Sequence, residues 1–149
     1  MTAQEYLERE RLAETKSEYY RGEVFAMTGA SLQHVTIAIN VAGELRSSLK
    51  GKPCAVYPAD LRLGIGATGL YTYPDVMVIC GKPAVIDAHV DTVTNPVVII
   101  EVLSPSTEGY DRGRKFESYR AIPSLMEYLA VSQHRMHVEI HTRQTILGY

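Results

Sequence analysis

The stretch PVVIIEVLS, residues 96 to 104, constrains the fold of this chain more than any other. Val97, Val98, Ile99 and Ile100 are β-branched and run without polar interruption, as in a strand covered on both faces near the middle of a sheet. Glu101 follows at once, and Val102 and Leu103 resume the apolar run. An unpaired carboxylate buried there costs on the order of several kcal/mol even after relaxation. A hydrogen-bonding partner or a cation should therefore lie near Glu101.

The elements around this strand can be read in order. Thr2 and Glu5 form a capping box ahead of a short helix through AQEYLERERLAE, and SEYYRGEVFAMTG reads as a hairpin turning at Arg21-Gly22. SLQHVTIAINVAGELRSSLKG follows, with Ser31 as N-cap and Gly51 as stop. Val35, Ala38, Val41, Ala42, Leu45 and Leu49 hold helical spacing, which predicts a core-facing helix. CAVYPADLRLGI alternates, with Leu61, Leu63 and Ile65 on one face and Asp60 and Arg62 on the other, and YTYPDVMVIC reads as one mostly apolar strand. Residues 81 to 95 are a polar surface excursion. After the central strand, TEGYDRGRKFESYRAI is helical, and SLMEYLAVS and MHVEIHTR are strands. The order after the hairpin is α-β-β-β-α-β with one further strand, an α/β sandwich built on a mixed sheet.

At 149 residues the chain has the length of one domain with a real hydrophobic core, and 46% apolar with 21% charged residues is ordinary for a globular protein. A net charge of −2 supplies no global positive field, which argues against nucleic-acid binding except through a local patch. The start lacks the basic and apolar regions of a signal peptide, and no apolar run approaches the roughly 20 residues of a spanning helix. Cys54 and Cys80 fall in no zinc or CxxC pattern, so two reduced thiols in a cytoplasmic protein are expected.

Two apolar strands carry a lone acid each, Asp75 in YPDVMVI and Glu101 in VVIIEVL. On adjacent strands the two carboxylates would repel, and a Mg²⁺ or Mn²⁺ ion between them would remove the conflict. Such a cation can activate water and offset charge on a phosphodiester under attack. The competing reading satisfies each acid separately, with backbone N–H groups or arginine. Asp60, one strand earlier, is either a third acid near the metal or a partner for Arg62. Pro105 ends the strand, and Ser106 or Thr107 can cap the helix that follows.

Pro74-Asp75 followed by Glu101 resembles the PD-(D/E)xK nuclease superfamily. The longer run EVLSPSTEGYDRGRKFESYRAIPSLMEYLAV, with GEVFAMTGASLQH and YPDVMVI, is similar to the Uma-two family of restriction endonucleases over nearly the whole chain. The resemblance implies a restriction-endonuclease-like core over residues 31–149, preceded by an N-terminal helix and hairpin over residues 1–30, in a single domain. Family members continue past position 149, which implies an incomplete C-terminal end. It also implies a metal held by Asp75, Glu101 and the Val102 carbonyl. The superfamily's lysine belongs two residues after the glutamate, where this chain has Leu103; the family implies a migrated lysine, Lys115. Asp111, Lys115 and Tyr119 recur every four residues along one helical stripe, which suits that role but equally suits an exposed Asp111–Lys115 ion pair. His34 and Glu23 match positions of the family pattern and are candidates to line the cleft.

HVEIH places His137, Glu139 and His141 on one strand face, where a solvated edge explains them better than a metal site. The resulting expectation is a Mg²⁺-dependent endonuclease acting on DNA, cytoplasmic, with a homodimer suggested by the need to cut two strands. The alternative is an inactive nuclease-fold module that binds nucleic acid or protein, which Leu103 and the negative charge favour.

Overall fold

The computed structural model describes residues 1–27, 29–104 and 111–144, with backbone alone at 111 and 112. In chain order the elements are α1 (Ala3–Leu12), β1 (Ser17–Tyr20), β2 (Glu23–Ala26), α2 (Leu32–Ser48), β3 (Cys54–Pro58), β4 (Arg62–Ile65), β5 (Leu70–Thr72), β6 (Val76–Cys80), β7 (Thr92–Val93), β8 (Val98–Leu103), a π-helical turn (Asp111–Lys115) continuing into α3 (Phe116–Arg120), β9 (Glu127–Ser132) and β10 (Val138–Thr142). They form a mixed α/β fold with two five-stranded sheets, ordered β2-β1-β5-β4-β7 and β10-β9-β8-β6-β3.

Several elements follow directly from local chemistry. Thr2 accepts from the Glu5 N–H while the Glu5 side chain accepts from the Thr2 N–H, closing the capping box of α1. Ser31 caps α2 by accepting from the His34 N–H. The β1–β2 hairpin turns at Arg21 and Gly22, both with positive φ, the geometry that matches strand twist in a two-residue turn. β8 lies in the middle of its sheet, antiparallel to β6 and parallel to β9.

The main core lies between the sheets. Leu63, Ile65 and Leu70 from one meet Met77, Ile79, Ile99, Leu103, Tyr128 and Ala130 from the other, with Tyr119, Ile122 and Leu125 filling the space beside them. Alternation along β8 places Ile99, Glu101 and Leu103 on this inner face. Val76, Val78, Ile100 and Val102 are also buried, and α2 lies against β3, β6 and β8. A smaller cluster of Tyr6, Leu7 and Tyr19 fastens α1 to β1, with the rings of Tyr6 and Tyr19 stacked at 5.0 Å.

The structure departs from the sequence pattern in several places. CAVYPADLRLGI is two strands in different sheets, β3 and β4, because the chain turns a corner over residues 59–61. YTYPDVMVIC likewise divides at Tyr73–Asp75 into β5 and β6, where Pro74 lacks the N–H a ladder needs. The polar excursion contributes β7, parallel to β4. Val35 is 52% exposed, and no residue of α2 is fully buried, since the helix rests on the sheet by one side only.

Cys54 and Cys80 are not reduced thiols but a disulfide, because β3 and β6 bring them directly opposite in antiparallel register. The 26-residue separation hid this pairing from the sequence. No helix among the described residues is long and apolar enough to cross a membrane. Pro105, Ser106 and Thr107 lie outside the described residues.

Arg62 is only 5% exposed, and its partner is Asp91, not Asp60. Asp91 Oδ2 also receives Arg11 Nε at 2.7 Å, and Arg62 hydrogen-bonds Tyr73 and Thr92. The hydrogen bonds from Arg11 outweigh burial and, with the charge of Arg62, lower the Asp91 carboxyl to about 2. Asp91 stays ionised in the folded chain after its unfolded counterpart has taken up a proton near pH 4, so its stabilisation is full above about pH 4 and disappears toward about pH 2. Asp91→Asn should lower stability at neutral pH and flatten the loss between about pH 4 and about pH 2 in urea unfolding. An unchanged acid slope would contradict this.

Candidate active site

β6 and β8 set the site. Their register pairs Val76 with Ile100 and Met77 with Ile99, so one step further brings Asp75 opposite Glu101. The Val102 N–H donates to Asp75 Oδ2 at 2.7 Å, and His34 Nε2 from the first turn of α2 lies 2.8 Å from Asp75 Oδ1. Gln133, buried in the β9–β10 connection, approaches His34 Nδ1 at 3.4 Å and accepts from the Ser31 hydroxyl at 3.2 Å. If its amide donates to Nδ1, the other ring nitrogen carries the hydrogen that reaches Asp75. Burial would raise the Asp75 carboxyl, but the His34 hydrogen bond, the Val102 N–H and a side-chain hydrogen bond with Glu101 hold it below the usual carboxylate range.

Glu101 is 3% exposed. The Tyr119 hydroxyl donates to its Oε1 at 2.6 Å, and Lys115 Nζ stands 3.9 Å from the same oxygen. Lys115 and Tyr119 are four residues apart and reach Glu101 together from the helix that follows β8. Lys115 is itself 7% exposed, so it is not half of a surface ion pair. Leu103 takes no part in this polar cluster, being buried in the core between the sheets.

The remaining candidates are placed differently. Glu23 is exposed at the start of β2. Asp60 turns to solvent 3.4 Å from Lys16 and joins neither acid by a hydrogen bond or ion pair. The side chain of Asp111 lies outside the described residues. His137, just before the edge strand β10, and His141 on it flank Glu139 at 3.5 and 3.9 Å. Among the described residues, no group of three or more histidine, cysteine or acidic side chains is arranged to hold a metal.

Two further residues at the site, Glu18 and Gln133, are not marked by any pattern in the sequence. Glu18 Oε2 lies 3.2 Å from Lys115 Nζ and accepts a hydrogen bond from the Thr72 hydroxyl. Glu18 carries no local mark that separates it from Glu23 five residues on. Only the pairing of β1 with β5 selects it.

Asp75 and Glu101 offer carboxylate oxygens from neighbouring strands. Mg²⁺ asks for one or two carboxylates and keeps most of its waters, so this pair fits that cation without a third protein ligand. Chemically, the arrangement combines two carboxylates able to share a hard cation, an ammonium close by, and a hydroxyl fixing the second carboxylate.

The mixed α/β fold is shared with a solved structure. The crystal structure described as a "putative nuclease belonging to DUF820" from Anabaena variabilis superposes with a TM-score of 0.72 at 17% identity, covering 96% of this chain and 85% of that one. The family model Uma2, described as "Putative restriction endonuclease", matches residues 3–148, and the chain belongs to that family. Two proteins of Synechocystis sp. (strain ATCC 27184 / PCC 6803 / Kazusa) are related. sll1609 is 42% identical over 93% of this chain and 78% of its own length, and slr1290 is 36% identical over 95% and 73%.

The burial of Lys115 gives a direct test. Lys115→Met would remove the ammonium from between Glu18 and Glu101, and breaking a buried pair in this way costs about 3 kcal/mol. An exposed pair would lose at most about 0.5 kcal/mol. Urea unfolding of the variant distinguishes the two, and a loss at the lower figure would contradict the buried geometry.

Proposed function

We propose that this protein is a Mg²⁺-dependent endonuclease that hydrolyses phosphodiester bonds of DNA, with Mn²⁺ able to substitute. The observation that carries the reading is the meeting of Asp75 and Glu101 across β6 and β8 with the Lys115 ammonium beside them. Membership of a family described as restriction endonucleases supports it.

Asp75 and Glu101 would hold the cation, with the Val102 carbonyl as a further oxygen donor. When bound, the ion lowers the pKa of a coordinated water and offsets negative charge on the phosphate. The protein supplies the rest. His34 and the Val102 N–H fix Asp75 in its ionised form, and Tyr119 fixes Glu101. The Lys115 ammonium would orient the attacking water and stabilise charge developing on the phosphate oxygens. Lysine is no ligand for Mg²⁺, so its loss should reduce cleavage and spare metal binding. A homodimer would present one such site to each strand of a duplex.

The test is cleavage of supercoiled plasmid with Mg²⁺, with Mn²⁺, and with EDTA. The wild-type protein should nick or linearise the plasmid only with a divalent ion. Asp75→Ala and Glu101→Ala should each reduce the rate by about 100-fold or more. Binding of DNA without cleavage under any of these conditions would overturn the endonuclease reading in favour of a binding module.

A further inference from the structure

The N-terminal hairpin does more than flank the nuclease-like core. We infer that Glu18 is a positioning residue that holds the Lys115 ammonium at the site, an assignment that rests on the endonuclease reading above.

The physical need for such a residue follows from where the lysine sits. A lysine two residues after Glu101 would share its strand face and be placed by the strand itself. That place belongs to Leu103 in the core, and the ammonium arrives instead from the π-helical turn after β8. A four-carbon stem on a separate element has several rotatable bonds, and ordering it costs side-chain entropy. An anionic anchor offsets that cost and fixes the ammonium's direction.

Glu18 meets the requirements of an anchor. It stands 3.2 Å from Lys115 Nζ, nearer than Glu101 at 3.9 Å, and its side chain is largely buried. Its own position is fixed from several sides. β1 pairs Tyr19 with Tyr71 and Tyr20 with Leu70, so the register carries Glu18 opposite Thr72, whose hydroxyl donates to it. Glu10 from α1 accepts from both the Ser17 N–H at 2.7 Å and the Tyr73 hydroxyl at 2.9 Å. The Tyr6 hydroxyl donates to the Ser17 carbonyl at 2.6 Å. Thr72 lies three residues before Asp75, so one short segment fixes the partner of Glu18 at one end and a carboxylate of the site at the other.

Glu18→Gln keeps the shape of the side chain and its hydrogen bond with Thr72 while removing the charge. Single-turnover cleavage of plasmid DNA by this variant should fall by about 100-fold, the usual scale for a misplaced catalytic group. The Mg²⁺ dissociation constant, measured by calorimetry, should stay within about 2-fold of wild type, because Lys115 does not bind the ion. In a Lys115→Met background, Glu18→Gln should have no further effect on the residual rate. A readout independent of activity is acylation of Lys115 by N-hydroxysuccinimidyl acetate on the folded protein, located by mass spectrometry. It should rise several-fold in Glu18→Gln, and remain near wild type in Glu18→Asp, which keeps the charge should the glutamine variant fold poorly.

If wild type cleaves no nucleic acid while Lys115 acylation rises in Glu18→Gln, the endonuclease reading falls and the anchoring role stands. The inference is overturned by wild-type cleavage in Glu18→Gln, by an equal loss in the Lys115→Met background, or by unchanged acylation. A loss of Mg²⁺ affinity of about 10-fold or more also overturns it, since Glu18 would then be a ligand.

Discussion

The organisation of this protein turns on how the carboxylate of Glu101 is accommodated on the inner face of the central strand. Ile99 and Leu103 flank it in the core, and its side chain is only 5% exposed. The chain meets it with the Tyr119 hydroxyl and the Lys115 ammonium, both from the helical segment that follows β8. That segment is therefore fixed by polar contacts as well as by Tyr119, Ile122 and Leu125 in the apolar core. A buried ion pair of this kind adds little net stability over a well-packed apolar pair, yet removing one partner is costly. The arrangement is the sort of locally expensive feature that marks functional sites.

The second sheet explains why the N-terminal elements belong to the same account. By turning corners after β3 and again at Pro74, the chain passes from one sheet to the other and back between residues 54 and 80. The excursion places β5 where β1 can pair with it, and so brings the hairpin over the core. The Arg62–Asp91–Arg11 cluster ties α1 to the segment preceding β7, and Glu10 bridges β1 to Tyr73. Asp75 sits at the end of that corner, held by the Val102 N–H on one side and His34 on the other.

Much of this was legible in the sequence because it is written in local pattern. The β-branched run before Glu101 marks a central strand, Ser31 marks the start of α2, and Arg21-Gly22 marks the hairpin. Lone acids in apolar strands pointed to Asp75 and Glu101 as a pair, and helical spacing put Lys115 and Tyr119 on one stripe. What escaped is long-range. Alternation through CAVYPADLRLGI continues across a corner, so hydrophobicity alone gives no sign that β3 and β4 leave for different sheets. Alternation put Arg62 on one face with Asp60, but both faces of β4 are buried and its charge is met by Asp91, 29 residues away. The Cys54–Cys80 bond and the contact between Glu18 and Lys115 both depend on register between distant strands. Nothing within a window of a few residues carries that information.

In the proposed site Asp75 and Glu101 together would hold one divalent cation. Titration with Mn²⁺ followed by electron paramagnetic resonance tests it directly, because free and bound ions give separable signals whether or not any substrate has been found. One site per chain is expected in the wild-type protein, displaced by Mg²⁺, and lost in both Asp75→Asn and Glu101→Gln while Lys115→Met retains it. Binding that survives in Asp75→Asn or Glu101→Gln, or no binding to the wild-type chain at all, would contradict the assignment of these two carboxylates to a metal.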